Sequence, residues 1–191
     1  MRGLARQAGQ DYSKLKSLLA AQDFQAADDE TRDLLIRLAG PEAVKRKWVY
    51  FTEARPPRGV RGGAGLPAGA AGPLTQVGGR AQVKFIPAAD LQTLDRLWRA
   101  ASGNKFGYSV QKELWVQNRR YWEKFFKAID WVQGEHNIYR KWPAGFTYSL
   151  AAARGHLPLT NALRGTQLFK AIMEHPAFER PQSETRPDWL K

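Results

Sequence analysis

With 191 residues, 43% hydrophobic content and seven Trp, the chain can build one sizeable core and still carry tails or an insertion. The absence of Cys excludes disulfides, Cys-ligated zinc, iron–sulfur clusters and thiol nucleophiles. A net charge of +12 favours anionic partners (nucleic acid, anionic lipid, an acidic protein face or a ligand with carboxylates) without choosing among them. No run approaches the length of an apolar transmembrane helix, so a soluble protein is expected.

Residues 1–10, with Arg2, Arg6 and no acid, read as an N-terminal tail with the composition of a transit-peptide remnant. They contain no apolar segment of the kind that directs secretion. From Asp11, DYSKLKSLLAAQ places Leu15, Leu18 and Leu19 on one helical face, with Asp11 as the N-cap. A second helix follows in FQAADDETRDLLIRLAG, with Phe24, Ala27, Leu34, Leu35 and Leu38 as its apolar positions and Gly40-Pro41 as its stop. Residues 54–82 are Gly, Ala, Pro and Arg with almost no large apolar side chain, which predicts a flexible basic insertion. True RGG repeats with interleaved aromatics are missing, so nucleic acid is not an expected partner.

Beyond Pro87, Leu91, Leu94, Leu97 and Trp98 recur at helical spacing, and Ser102-Gly103-Asn104 stops that helix. SVQKELWVQNRRYWEKFFKAIDWV reads as one long helix or two abutting ones. Its buried stripe is Val110, Leu114, Trp122, Phe125, Phe126 and Ile129. Thr160 can N-cap a final helix that places Leu163, Leu168, Ile172 and Met173 inward, and Pro176 closes it. Residues 11–178 are therefore one helical domain interrupted by 54–82, and 179–191 a charged, Pro-containing C-terminal tail. Nothing alternates with period two for long, so the expected class is all-α.

The chemistry starts from what is missing: no HExxH, no GxSxG, no phosphate-cradling Gly loop and no Rossmann fingerprint. An enzyme is not expected. Two loops are instead unusually aromatic, KFGYSV at 105–110 and the stretch 142–165, WPAGFTYSLAAARGHLPLTNALRG. A loop this apolar has to be covered by protein, partner or ligand. Phe106, Tyr108, Val110, Trp142, Phe146, Tyr148, Leu150, Leu157 and Leu159 could wall a slot for a flat conjugated ring, or else close the helical core. Gly107 and Gly145 would let backbone approach such a ligand closely. Asn161 offers a polar contact or a cap, and Arg164 could clamp a carboxylate at the rim. His156 could ligate a metal at the ring centre or hold the loop by hydrogen bonding, and a lone His is more often structural; no metal ligand is assigned.

KFGYSVQ (105–111), WPAGFTYSL (142–150), DLQTLDRLW (90–98) and above all GHLPLTNALRG (155–165) resemble the Genomes Uncoupled four family. The resemblance spans about Asp11 to Phe178 outside the insertion. It implies an α-helical cupped hand that binds protoporphyrin and magnesium-protoporphyrin against an apolar palm, with linear bilins as further ligands. It also implies a monomeric, non-enzymatic stimulator of magnesium chelatase in chlorophyll biosynthesis, acting on the large porphyrin-binding subunit and taking part in plastid signalling. The expected location is the chloroplast, in the stroma and peripherally on its membranes, or the cytoplasm of a cyanobacterium. By motif position Arg164 is the basic ligand contact. A second basic contact of some members falls on Gln167 here, leaving Arg99, Lys105 or Lys141 as substitutes. Residues 54–82 look added relative to the family pattern, and Ser183 and Thr185 match a phosphorylated extension of plant and algal members.

Overall fold

The computed structural model describes residues 10–46, 86–141, 143–159 and 166–179, the side chains of 42, 46, 166 and 167 excepted. Among these residues it is helical, with seven α-helices and one two-stranded ladder.

Helix α1 (Ser13–Ala20) buries Leu15 and Leu19, one turn apart. The N-cap is Tyr12 and not Asp11, whose carboxylate accepts the Ser13 N–H at 2.9 Å from one residue further back. Helix α2 (Phe24–Leu38) is capped by Asp23, which accepts the Ala26 N–H at 3.1 Å, and packs antiparallel on α1. Its apolar stripe is the expected one, but Asp28, Glu30 and Thr31 are buried as well. Glu30 draws Lys14 of α1 to 2.5 Å and Arg37 to 2.6 Å, which ties the two helices together. Gly40 (φ 99°) ends the run, and Pro41 then opens a short helix α3 (Pro41–Arg46), since a Pro without an N–H costs nothing at a first helical position.

Helix α4 (Ala88–Ala101) turns Leu91, Leu94 and Trp98 into the core. The Trp98 indole donates to Thr31 Oγ1 at 3.0 Å, while that hydroxyl donates to Ala27 O at 2.7 Å, a buried polar seam between α2 and α4. The long pattern that follows is two helices, α5 (Tyr108–Gln117) and α6 (Trp122–Ala128). The break has a local cause: Arg119 and Arg120 adopt φ of 55° and 61°, and Asn118 Nδ2 turns back to Leu114 O at 2.8 Å. A hairpin pairs β1 (Val132–Gln133) with β2 (Ile138–Tyr139) in the antiparallel register Val132 to Tyr139. Two-residue strands are too short to leave an alternation in the sequence. Helix α7 (Thr166–Met173) packs on α5, and a 3-10 turn (Pro176–Phe178) returns to α4.

The core is one cluster with two aromatic centres. Phe24, Trp98 and Phe106 meet between α2 and α4, with Phe24 edge-on to Phe106 at 5.6 Å. Trp122, Phe125, Phe126, Trp131 and Phe169 form the other, joined by Phe146 edge-on to Trp131 at 6.3 Å.

Candidate functional site

Residues 143–159 form an apolar strap of successive turns, held along its length by specific polar contacts. His156, fully buried, is the central one. Its Nε2 accepts the Thr147 N–H at 3.1 Å, which places the proton on Nδ1, and Nδ1–H donates to Ile129 O at 2.7 Å. Its backbone carbonyl accepts from the Trp131 indole at 2.8 Å. Burial holds the imidazole pKa below 6.5, so the ring is neutral. With both nitrogens engaged, His156 positions the strap and has no lone pair for a metal. No group of His and carboxylates suited to a metal occurs among the described residues.

Gln111 of α5, also fully buried, donates through Nε2 to Gly155 O at 2.9 Å and Pro158 O at 3.0 Å. The Gly155 N–H bonds Lys105 O, and the Gly107 N–H bonds Leu157 O. The Leu157–Pro158 peptide is cis. On the opposite side Asp28, 1% exposed, accepts the Leu159 N–H at 2.6 Å. The strap thus lies between α5 and α2, fastened to both.

These contacts decide where the expected wall residues go. Phe106, Tyr108 and Leu157 are fully buried, and Leu159, Val110 and Phe146 nearly so. Phe24 and Trp98 pack in T-shaped contacts with Phe106, Phe178 lies 6.1 Å from Tyr108, and Trp131 and His156 flank Phe146. In this geometry these rings close the core, and an open slot between two facing aromatic walls is not present among the described residues. Tyr148 is half-buried and Leu150 is 39% exposed, so they form the solvent-facing apolar edge of the strap. Trp142, Asn161, Arg164 and the insertion 54–82 lie outside the described residues.

The two glycines expected to admit a ligand admit protein instead. At Gly107 (φ 129°) a Cβ would meet Asp95 Oδ1 at 2.7 Å, because that buried carboxylate caps α5 through the Ser109 N–H. At Gly145 it would meet Lys141 O at 2.7 Å. Of the alternative cations, Lys105 donates to Leu150 O at 2.6 Å, Arg99 donates to Asn104 Oδ1 at 2.9 Å, and Lys141 is exposed. An open cleft of about 910 Å³ lies between the end of α4, α5 and the 3-10 turn, with Arg99, Lys112 and Arg154 on its walls. Among the described residues Val110 is the one expected wall residue lining it.

The contribution of Asp28 had no signature in the sequence. It stands in an acidic run, DDE, that reads as a solvated helix face, and its partner lies 131 residues away. Gln111 was hidden in the same way, as one polar residue inside VQKEL.

The family model described as GUN4-like matches residues 5–57 and 75–176, leaving out part of the Gly-rich stretch. The chain is 37% identical over 172 residues to a Ycf53-like protein of Synechocystis, covering 90% of this chain and 60% of that protein. It is 37% identical over 175 residues to a chloroplastic tetrapyrrole-binding protein of Arabidopsis thaliana, covering 87% and 55%. It therefore spans less than two thirds of the length of these relatives. The fold is similar to the solved structure of GUN4 from Chlamydomonas reinhardtii, with a TM-score of 0.69 and 53% identity over 93% of this chain and 97% of that one. For the ligand-free structure of GUN4 from Arabidopsis thaliana the TM-score is 0.68, with 35% identity over 90% of this chain and 100% of that one. The chain belongs to the GUN4-like family.

Proposed function

We propose that the chain is a non-enzymatic tetrapyrrole carrier that binds protoporphyrin and magnesium-protoporphyrin, with linear bilins as further ligands. It delivers its ligand to the large porphyrin-binding subunit of magnesium chelatase and stimulates metal insertion, in a chloroplast or a cyanobacterial cytoplasm. The observation that carries this reading is a long apolar strap, fixed from both sides, that keeps Tyr148 and Leu150 toward solvent in a chain of this family. The name of the Arabidopsis relative, a tetrapyrrole-binding protein, supports the ligand class.

On this reading the macrocycle lies against the edge formed by Tyr148 and Leu150, Trp142 adds an aromatic contact, and Arg164 engages a propionate. Covering a few hundred Å² of apolar surface at about 25 cal/mol per Å² is ample before the costs of association are subtracted. Phe106, Tyr108, Val110, Phe146, Leu157 and Leu159 support that edge from within, and Asn161 shares the polar rim. Quenching of protoporphyrin fluorescence, titrated with wild type, Trp142→Ala and Arg164→Ala, tests the assignment. Each variant is expected to weaken binding about tenfold or more, the scale of one lost buried contact. Unchanged affinity in both would remove the site from this edge.

A further inference from the structure

Asp28 is the single acid that α2 turns against the strap, and its two oxygens have different partners. Oδ1 accepts the Leu159 N–H at 2.6 Å, while Oδ2 faces Arg32 Nη2 at 3.1 Å. The same Arg32 also holds Asp29 through Nη1 at 2.8 Å. Tyr148, on the solvent-facing edge of the strap, lies close enough to feel the charges of Asp28 and Asp29. A buried carboxylate is therefore bonded to the backbone of the same strap that carries the edge to which the tetrapyrrole is assigned.

We propose that Asp28 is a positioning residue of the tetrapyrrole site, anchoring the end of the strap through the Leu159 amide and coupling ligand binding to proton uptake. This rests on the carrier reading above. Oδ1 can keep the Leu159 N–H in either protonation state, so the anchor survives titration. A proton taken from solvent goes to Oδ2, and Arg32 then keeps its bond to Asp29. Burial raises the Asp28 pKa to about 7, against the opposing pull of the Leu159 N–H and Arg32. A flat apolar ligand with carboxylates, laid over Tyr148, excludes more water and adds negative charge. Both effects disfavour the ionised form further, so binding draws a proton.

The neighbouring groups leave the window clear. Arg32 is shared between Asp28 and Asp29. The Tyr148 hydroxyl is pushed up to about 12, chiefly by burial, and His156 is held below 6.5. Asp29 is a solvent-facing carboxylate paired with Arg32.

The test is calorimetric titration of the whole protein with protoporphyrin at pH 7.5, in two buffers of different ionisation enthalpy. Wild type is expected to take up a measurable fraction of one proton, with affinity falling severalfold between pH 6.5 and 8.5. Asp28→Asn, which keeps an acceptor for Leu159, is expected to bind with no proton uptake and a flat pH profile. Equal proton uptake in the variant overturns the coupling. Should the Asp28→Asn variant fail to fold, the carboxyl carbon of Asp28 is followed by NMR in the wild type. A midpoint near neutrality that rises with protoporphyrin supports the proposal, and a midpoint in the ordinary carboxylate range overturns it. The anchor is read without ligand, as hydrogen exchange at the Leu159 amide. Asp28→Ala should speed it more than tenfold and Asp28→Asn much less, and equal rates in wild type and Asp28→Ala refute the anchor. Wild type that fails to bind protoporphyrin refutes the carrier reading and its coupling, whereas loss of the coupling alone leaves the carrier standing.

Discussion

At the scale of single residues, the strap depends on groups that form few alternatives. His156 satisfies two backbone groups with its ring, and truncation would orphan the buried Ile129 carbonyl and the half-buried Thr147 N–H. His156→Ala should therefore cost about 2–4 kcal/mol in chemical denaturation, the range for breaking a buried hydrogen-bond network. Gly155 adopts φ of 76°, and a Cβ there would lie 2.6 Å from Leu114 Cδ1 and 3.1 Å from Ile129 Cγ2. Gly134, at φ 72°, has open space around it. Gly155→Ala should cost about 2–3 kcal/mol and Gly134→Ala about 1 kcal/mol, because only the first adds overpacking to the backbone penalty. Equal losses in thermal unfolding would mean that packing at Gly155 relaxes freely. The role of His156 was open in the sequence as two alternatives, and in the structure both of its ring nitrogens bond backbone groups. What no pattern could give was the partner of Asp28, since a contact across 131 residues leaves no local periodicity.

Helices and strands were legible in proportion to their length. The stripes of α1, α2 and α4 follow directly from apolar spacing, because successive turns repeat the same face. The division of α5 from α6 was ambiguous, since its cause is two Arg in the left-handed region, where Arg carries no propensity signal. Arg119→Gly should leave the protein as stable or gain up to about 1 kcal/mol, since Gly adopts positive φ without the Cβ penalty. A loss of stability on denaturation would show that the arginine side chain itself holds the break. At the α2–α4 seam, Thr31→Val leaves the Trp98 indole N–H without its acceptor, and Trp98→Phe leaves the Thr31 hydroxyl with its bond to Ala27 O alone. The double variant should therefore cost less than the sum of the singles, each about 1–2 kcal/mol, in a denaturation cycle. The aromatic loops read in the sequence as a ligand slot or a core closure, and the structure divides them. Most of the rings close the core, while Tyr148 and Leu150 remain at the edge.

For the whole molecule, buried titrating groups pull in opposite directions with pH. His156 and His175 are both held below 6.5 by burial, so the unfolded chain takes up protons first. Their contribution is complete above about pH 6.5 and is lost as pH falls below it. Asp28 does the reverse: its folded-state pKa of about 7 lies above the 3.8 of a free carboxyl, so its contribution shrinks as pH rises from about 4 to 7. Acid destabilisation of wild type between pH 5 and 6.5 should therefore be shallower than that of Asp28→Asn, as read by urea denaturation at each pH. Parallel curves would mean that Asp28 titrates as an ordinary carboxyl in the folded protein.

The two indoles of Trp115 and Trp122 stack with centroids 5.2 Å apart and planes 25° from parallel, one on each side of the break between α5 and α6. Chromophores this close share their excited states, so the pair should give a bisignate band in far-ultraviolet circular dichroism that neither Trp115→Phe nor Trp122→Phe retains. A band that both variants remove reports the junction itself, so it gives an optical gauge of whether these two helices stay docked.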